Sequence, residues 1–235
     1  MGRILPERWR NAVAELCTAI APSSCLLCAA DSSETLCPGC AAELPLLPQG
    51  CPQCAEPTTH GERCGRCLHE PPHFDAAFAI WRYEFPLDRL IHAYKYGGEL
   101  ALSGWFGKRL AEKLHAWNYD LIVPMPLHRD RLRERGFNQA AELARVIGLE
   151  KNCPLSLDQL RRTRATAAQA DLPLAQRAAN VRGAFECAGD WQGKRLLLVD
   201  DVMTSGATLS ECARILKLHG ASAVGVAVVA RAVHR

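Results

Sequence analysis

Two aspartates, Asp200 and Asp201, follow the apolar run Leu196-Leu197-Leu198-Val199, and five small residues come shortly after: Thr204, Ser205, Gly206, Ala207 and Thr208. Adjacent carboxylates can accept hydrogen bonds from hydroxyl groups, directly or through a divalent cation. The small residues let backbone N–H groups approach an anion, and the hydroxyls add donors. A helix expected over residues 209–218 presents its positive end to the same place, which makes the loop a phosphate cradle. A ligand that suits acids and an anion cradle together carries both hydroxyls and a phosphate, as a ribose 5-phosphate does. The loop lacks the Gly-Lys pair of a Walker phosphate loop and contains no Gly-x-Gly-x-x-Gly run.

A second chemistry lies in the cysteines. Eight of the twelve form Cys-x-x-Cys pairs: Cys25/Cys28, Cys37/Cys40, Cys51/Cys54 and Cys64/Cys67. Two such pairs close a tetrahedral shell with no open position, as in structural zinc, so eight thiolates imply two structural Zn ions. Redox dithiols and an iron–sulfur cluster are the competing uses. Sequence order groups the first two pairs on one ion and the last two on the other, and an interleaved grouping stays open. Gly39 and Gly65 fall inside the second and fourth pairs, where a tight knuckle favours glycine. Residues 17–73 hold few aliphatic side chains, so a hydrophobic core alone would not fold them, whereas structural zinc supplies roughly 10–16 kcal/mol. His60, His69 and His73 are expected as exposed loop residues, and Cys17, Cys153, Cys187 and Cys212 as isolated, mostly buried thiols.

The elements that must position these groups follow from hydrophobic pattern. Residues 195–199 form a short continuous apolar run, the mark of a strand buried on both faces of a parallel sheet. Ligands of such sheets bind beyond the carboxyl ends of strands. Side chains alternate along a strand, so both acids serve one ligand only if the strand ends at Asp200, and that ending is assumed. Further strands are expected over 76–83, 119–123 and 225–230. Helices are expected over 87–96, 102–116 and 139–147, with Gly148 as a stop. The fold class is α/β, a doubly wound, mainly parallel sheet preceded by a small double zinc-ribbon module. Three parts are expected: a helical segment over residues 1–24, the double ribbon over 25–70, and the sheet domain over 74–235.

At 235 residues and 49% hydrophobic composition, the chain can bury one full core and carry a small appendage. Glu7, Arg8, Arg10 and Glu15 interrupt the apolar runs of the first 24 residues, so no signal peptide or membrane insertion is expected. Clustered cysteines then point to metal binding in a reducing cytoplasm. A net charge of +3 is too small to argue for nucleic acid by itself. Its distribution matters more. His128, Arg129, Arg131, Arg133 and Arg135 follow one strand's carboxyl end, with Asp130 and Glu134 interleaved, and a solvated charged loop is the alternative use. A second basic stretch contains Arg161, Arg162, Arg164, Gln169, Arg177 and Arg182. Between Thr163 and Pro173 it lacks a core pattern, as a mobile lid would.

The strand, the two acids and the loop resemble the 5-phosphoribosyl-1-pyrophosphate (PRPP) motif of type I phosphoribosyltransferases, with Ser205 the one conservative departure. Five further runs narrow the resemblance: Tyr94-Lys95-Tyr96-Gly97-Gly98, Val123-Pro124-Met125-Pro126-Leu127-His128, Arg133 to Gln139, Arg164 to Gln169, and Asn180-Val181-Arg182-Gly183-Ala184-Phe185. With these the chain resembles the ComF family, nearly end to end. The resemblance implies a zinc ribbon joined to a phosphoribosyltransferase domain in a bacterial cytoplasmic protein. It also implies a part in natural competence and DNA uptake, with single-stranded DNA and competence proteins as partners.

On this reading Mg-PRPP or a related ligand is bound. Asp200 and Asp201 hold the ribose, and Thr204, Ser205, Gly206, Ala207 and Thr208 hold the phosphate. His128 and Arg129 meet the pyrophosphate, and Arg162, Gln169 and Arg177 join the acids as catalytic or lid residues. The alternative is an active metabolic phosphoribosyltransferase that passes ribose 5-phosphate to a nitrogen nucleophile. Tyr94, Tyr96 and Phe137 are core aromatics or, in a DNA-handling protein, stacking platforms for bases. The acceptor and the oligomeric state have no signal in the chain.

Overall fold

A computed structural model describes residues 24–164 and 180–233. The helical segment expected over residues 1–24 therefore lies outside the described residues, apart from Ser24. The chain divides into two compact units at Leu44/Pro45.

In the first unit, Cys25 and Cys28 sit on a tight turn in which the Ala29 N–H donates to the Cys25 carbonyl at 2.9 Å. Cys37 caps a short helix α1, Pro38–Ala42, its sulfur accepting from the Cys40 N–H. The second unit opens with the same plan. Ala55 N–H donates to the Cys51 carbonyl at 2.8 Å, and Cys64 precedes helix α2, Gly65–His69. The residues that adopt the left-handed conformation of these turns are Ala29 (φ 59°) and Ala55 (φ 56°). Gly39 and Gly65 are helical instead, and a Cβ at either would touch nothing. The expected glycine knuckles are thus alanine knuckles, one residue past the first and third pairs.

The rest of the second unit is a four-stranded parallel sheet in the order β1-β6-β5-β2, with β1 Ala76–Arg82, β2 Leu121–Pro124, β5 Arg195–Met203 and β6 Ala223–Arg231. Burial follows position in the sheet. Edge strand β1 alternates half-buried and buried residues, whereas central β6 is buried at every position after Ala223. In β5, Leu196, Leu197, Leu198 and Val199 are fully buried, each stabilising the fold by about 1.5–3 kcal/mol. Antiparallel β3 (Leu160–Arg162) and β4 (Phe185–Cys187) form a separate pair.

Among the described residues the other α-helices are α3 (Leu87–Tyr96), α4 (Ala101–Lys113), α5 (Arg129–Arg135), α6 (Gln139–Lys151) and α7 (Ala207–Leu218). α4 and α6 pack on each other, α4 covering β1 and β6 and α6 covering β2 and β5; α7 lies on β4, β5 and β6.

Three expectations are corrected. Strand β5 does not end at Asp200: it continues to Met203, because β6 is long enough to pair Asp200 with Val228, Val202 with Ala230 and Met203 with Arg231. Residues 129–135 are not a loop but helix α5. Its N-cap is His128, whose ring nitrogen accepts from the Asp130 N–H, and its end is the left-handed Gly136. Gly148 does not stop α6, which runs on to Lys151 and is capped by left-handed Asn152. Glycine is there because the chain returns against the helix. A Cβ would stand 2.8 Å from Leu155 Cδ1 and 3.0 Å from the Cys153 carbonyl oxygen.

Candidate functional site

The carboxyl ends of β2 and β5 open into a cleft of about 480 Å3. β5 supplies Asp200 and Asp201, the following loop supplies Thr204 to Gly206, the start of α7 supplies Ala207 and Thr208, and the exit from β2 supplies Met125 to His128. Lys95 and Tyr96 reach the cleft from α3, Asp130, Arg131 and Arg135 from α5, Gln139 from α6 and Arg162 from β3. The sequence-assigned acids, loop residues, His128 and Arg162 therefore share one wall system. Arg129 does not line it, standing exposed at the first position of α5, and Arg131 takes that place. Gln169 and Arg177 lie outside the described residues.

β5 is still a strand at the acids, yet their carboxyls stay neighbours: the Asp201 N–H donates to Asp200 Oδ1 at 2.9 Å, and the charge of Asp201 acts directly on Asp200. Asp201 is buried and pairs with the Lys95 ammonium at 2.9 Å. Asp200 lies within the electrostatic reach of Arg162 and of the Cys212 thiol on α7. Both carboxyls line the cleft, at the point where the strand runs out into the loop.

Burial, reinforced by the charge of Asp201, pushes the Asp200 carboxyl up from its ordinary 3.8 to about 7, although Lys95 opposes the rise. Burial alone would draw Lys95 down, but the Asp201 charge and hydrogen bond outweigh it and hold the ammonium up. Arg162 is drawn down by burial. It stands over the Phe185 ring at 5.5 Å.

The loop enters α7 through Gly206, whose φ of +80° is open to glycine and strained for other residues. The first turn of this twelve-residue helix holds no acid, so nothing there repels an anion. On the far side, Arg135 donates to the Tyr96 hydroxyl at 3.0 Å and lies over its ring at 4.8 Å. Tyr96 is exposed, Phe137 half-buried, and Tyr94 is a core residue whose hydroxyl donates to the Gln139 carbonyl at 2.7 Å. Asn138 caps α6 by accepting from Ala140, and its amide donates to the Met125 carbonyl at 3.0 Å, pinning the β2 exit.

Sequence reasoning assigned no role to Lys95 or Gln139. Lys95 neutralises one of the two acids, and Gln139 carries a buried side-chain oxygen, Oε1, with no hydrogen-bond partner. Their signal was positional: both stand in the short runs that carry the family resemblance. Arg161, by contrast, turns away to donate to the Asp158 carbonyl, and Arg164 donates to the carbonyls of Asn180 and Arg182 at 3.1 and 2.9 Å.

The cysteine sulfurs gather as two groups of four, Cys25/Cys28/Cys37/Cys40 and Cys51/Cys54/Cys64/Cys67, each group within 4.8 Å. The local grouping is the one present. Sulfur pairs at 3.8 Å (Cys28 and Cys37) and 3.5 Å (Cys54 and Cys64) fit the separation of about 3.8 Å that a tetrahedral zinc shell requires. Burial pushes the Cys25 thiol up, but N–H groups of Cys28, Cys37 and Leu27 outweigh it and hold the thiol at about 6. Cys51 is held at about 7 in the same way by N–H groups of Cys64, Cys54 and Gln53. Hydrogen bonds with Cys28 and Cys37 push Cys40 up to about 12, and burial pushes Cys54 and Cys67 up, so it is the four-sulfur geometry that fits both groups to structural zinc. Of the isolated cysteines, Cys212 is buried, Cys153 and Cys187 are half-buried, and Cys17 lies outside the described residues. No helix among the described residues is long and apolar enough to cross a membrane.

The fold and the two kinds of site define a phosphoribosyltransferase-type domain joined to a double zinc ribbon. Comparison agrees: residues 132–235 match the model of the phosphoribosyl transferase domain and residues 16–68 that of the double zinc ribbon domain. The DNA utilization protein YhgH of Escherichia coli K12 is 37% identical over 184 residues, covering 75% of this chain and 81% of that protein. Competence protein F of Haemophilus influenzae is 31% identical, covering 84% and 90%, and competence protein ComFC of Streptococcus pneumoniae is 30% identical, covering 88% and 92%. The chain belongs to the ComF/YhgH family.

Proposed function

We propose that the cleft binds Mg-PRPP or a related ribose 5-phosphate ligand, and that the protein acts in natural competence and DNA uptake through the handling of single-stranded DNA. The observation that carries the ligand is one juxtaposition: two carboxylates on β5 beside the loop 204–208 and the start of α7. Asp200 and Asp201 accept from the ribose hydroxyls, directly or through Mg²⁺, and the loop N–H groups and hydroxyls take the 5-phosphate. Arg131, Arg135, Arg162 and His128 line the remaining wall, where a pyrophosphate would lie. The Gln139 Oε1 is an acceptor for an N–H of whatever shares the cleft. The process rests on the relatives, whose names place them in DNA utilization and competence. Partners there would be single-stranded DNA and competence proteins, in a cytoplasm reducing enough to keep eight thiols for zinc.

Calorimetric titration of the zinc-loaded protein with PRPP, with and without Mg²⁺, tests the ligand. Mg²⁺-dependent heat that is lost in an Asp200→Asn/Asp201→Asn variant is expected. Absence of binding in the native protein would remove the ligand from this reading and leave single-stranded DNA to be titrated alone.

The match of residues 132–235 to the phosphoribosyl transferase domain supports turnover as a second reading. In a transfer, the C1–O bond breaks and pyrophosphate leaves with the bonding pair. A nitrogen nucleophile forms the new C1–N bond and releases its proton to solvent. Release of pyrophosphate on adding an acceptor amine or base is the test, and its absence across a broad acceptor set would leave a binding protein.

A further inference from the structure

Arg231, the last residue of β6, is completely buried although charged. Its guanidinium faces two ways. Toward the second cysteine group, Nε donates to the Cys54 carbonyl at 3.1 Å and Nη2 to the Glu56 carboxylate at 2.6 Å. Toward the phosphate loop, Nη1 donates to the carbonyls of Met203, at 3.1 Å, and Thr204. Arg66, placed between Cys64 and Cys67, donates to the next carbonyl, that of Ser205, at 3.3 Å. Three successive carbonyls at the mouth of the cleft are therefore held by arginines bound to, or part of, one ribbon. In a trans peptide the C=O and the following N–H point in opposite directions. Drawing the carbonyls of 203, 204 and 205 toward the ribbon turns the N–H groups of Thr204, Ser205 and Gly206 the other way. Those are residues that line the cleft.

A third tie runs through the residues after the ribbon. Gln53, inside the Cys51/Cys54 pair, donates to the carbonyls of Pro72 and Phe74. The Phe74 ring then packs 3.6 Å from where a Cβ on Gly206 would stand, and the His73 N–H donates to Ser210 Oγ in the first turn of α7.

We propose that Arg231, assisted by Arg66, is a positioning residue through which the metal-held second cysteine group sets the direction of the phosphate-loop N–H groups. Occupancy of that group by zinc and occupancy of the loop by a phosphate ligand are then coupled. The ligand arm of this inference rests on the PRPP reading; the metal arm does not. Coupling is reciprocal, so a ligand that needs the oriented loop must also tighten the metal.

Two measurements decide it. Amide hydrogen exchange at residues 204–206 is compared in zinc-loaded and zinc-depleted full-length protein without ligand. Depletion is expected to speed exchange there by about fivefold or more while residues 196–199 keep their protection. Zinc-loaded Arg231→Lys is expected to reproduce the faster exchange, because an ammonium cannot span acceptors on both sides. If Arg231→Lys does not fold, the exposed Arg66→Gln carries the same comparison at Gly206. In the second arm, PRPP with Mg²⁺ is expected to slow zinc transfer to a colorimetric chelator in the native protein and to do so less in the variant. Loop exchange indifferent to zinc, or an equal slowing of zinc loss in native and variant protein, would overturn the proposal. If PRPP gives no calorimetric heat, the ligand reading fails alone and the exchange arm still decides this one.

Discussion

At the residue scale the two acids have opposite circumstances. Asp201 is neutralised by Lys95, while Asp200 is desolvated and left with a carboxyl near 7. The sign of the consequence follows from linkage. Between 3.8 and about 7 the folded protein holds a proton on Asp200 that the unfolded chain has released, so this group's contribution to stability falls as pH rises through that window. Urea midpoints of native and Asp200→Asn protein should therefore diverge as pH rises from 4 toward 7, with the variant gaining relative to the native chain. A constant difference across the window would show that Asp200 titrates normally. Lys95 makes the second residue-scale prediction. Lys95→Met leaves the Asp201 carboxylate buried beside no cation and should cost about 3–5 kcal/mol, read from denaturant midpoints. Adding Asp201→Asn should recover much of that loss, since the double variant strands no charge. If the double variant is no more stable than Lys95→Met alone, the pair is not what the lysine serves.

At the scale of elements, the chemistry was legible where it was local. The acids, the loop and the helix behind them are contiguous, so one stretch of sequence displayed them, and the cysteine spacing did the same for the metal sites. What the sequence hid was set by partners distant in the chain. The end of β5 looked like a strand end because carboxylates interrupt its apolar run, but pairing with β6 carries it on to Met203. α5 buries none of its residues and so shows no apolar period; its cap and the ion pairs Arg131–Glu134 and Arg133–Asp130 mark it as a surface helix. Gly148 imitated a stop because close approach and helix termination select the same residue. This contrast is testable with two alanines. Gly104→Ala in α4, where a Cβ meets nothing, should stabilise by about 0.5–1 kcal/mol through helix propensity. Gly148→Ala should gain nothing or lose stability, because the new carbon meets Leu155 and the Cys153 carbonyl. Equal thermal shifts for the two would mean that the return of the chain is looser than the structure has it.

For the whole molecule, the division at Leu44/Pro45 places the second cysteine group in the same compact unit as the sheet. Sequence pattern groups all eight cysteines as one module, because their spacing is regular and their composition is alike. Packing groups them differently. Cys51, Cys54 and Cys67 share a buried cluster with Phe74, Met203 and Leu209, and the Ala77 N–H at the start of β1 donates to the Pro52 carbonyl at 3.2 Å. A unit with its own core and its own metal group should fold by itself. A chain of residues 45–235 is therefore expected to be monodisperse, to hold one zinc per chain by metal analysis, and to unfold cooperatively. Cys51→Ser within it should abolish that transition, since the metal shell closes the wall behind the phosphate loop. A shortened chain that aggregates or needs the first cysteine group for its zinc would show that the two ribbons are one folding unit after all. A stable one would leave Cys25, Cys28, Cys37 and Cys40 free to serve a separate contact.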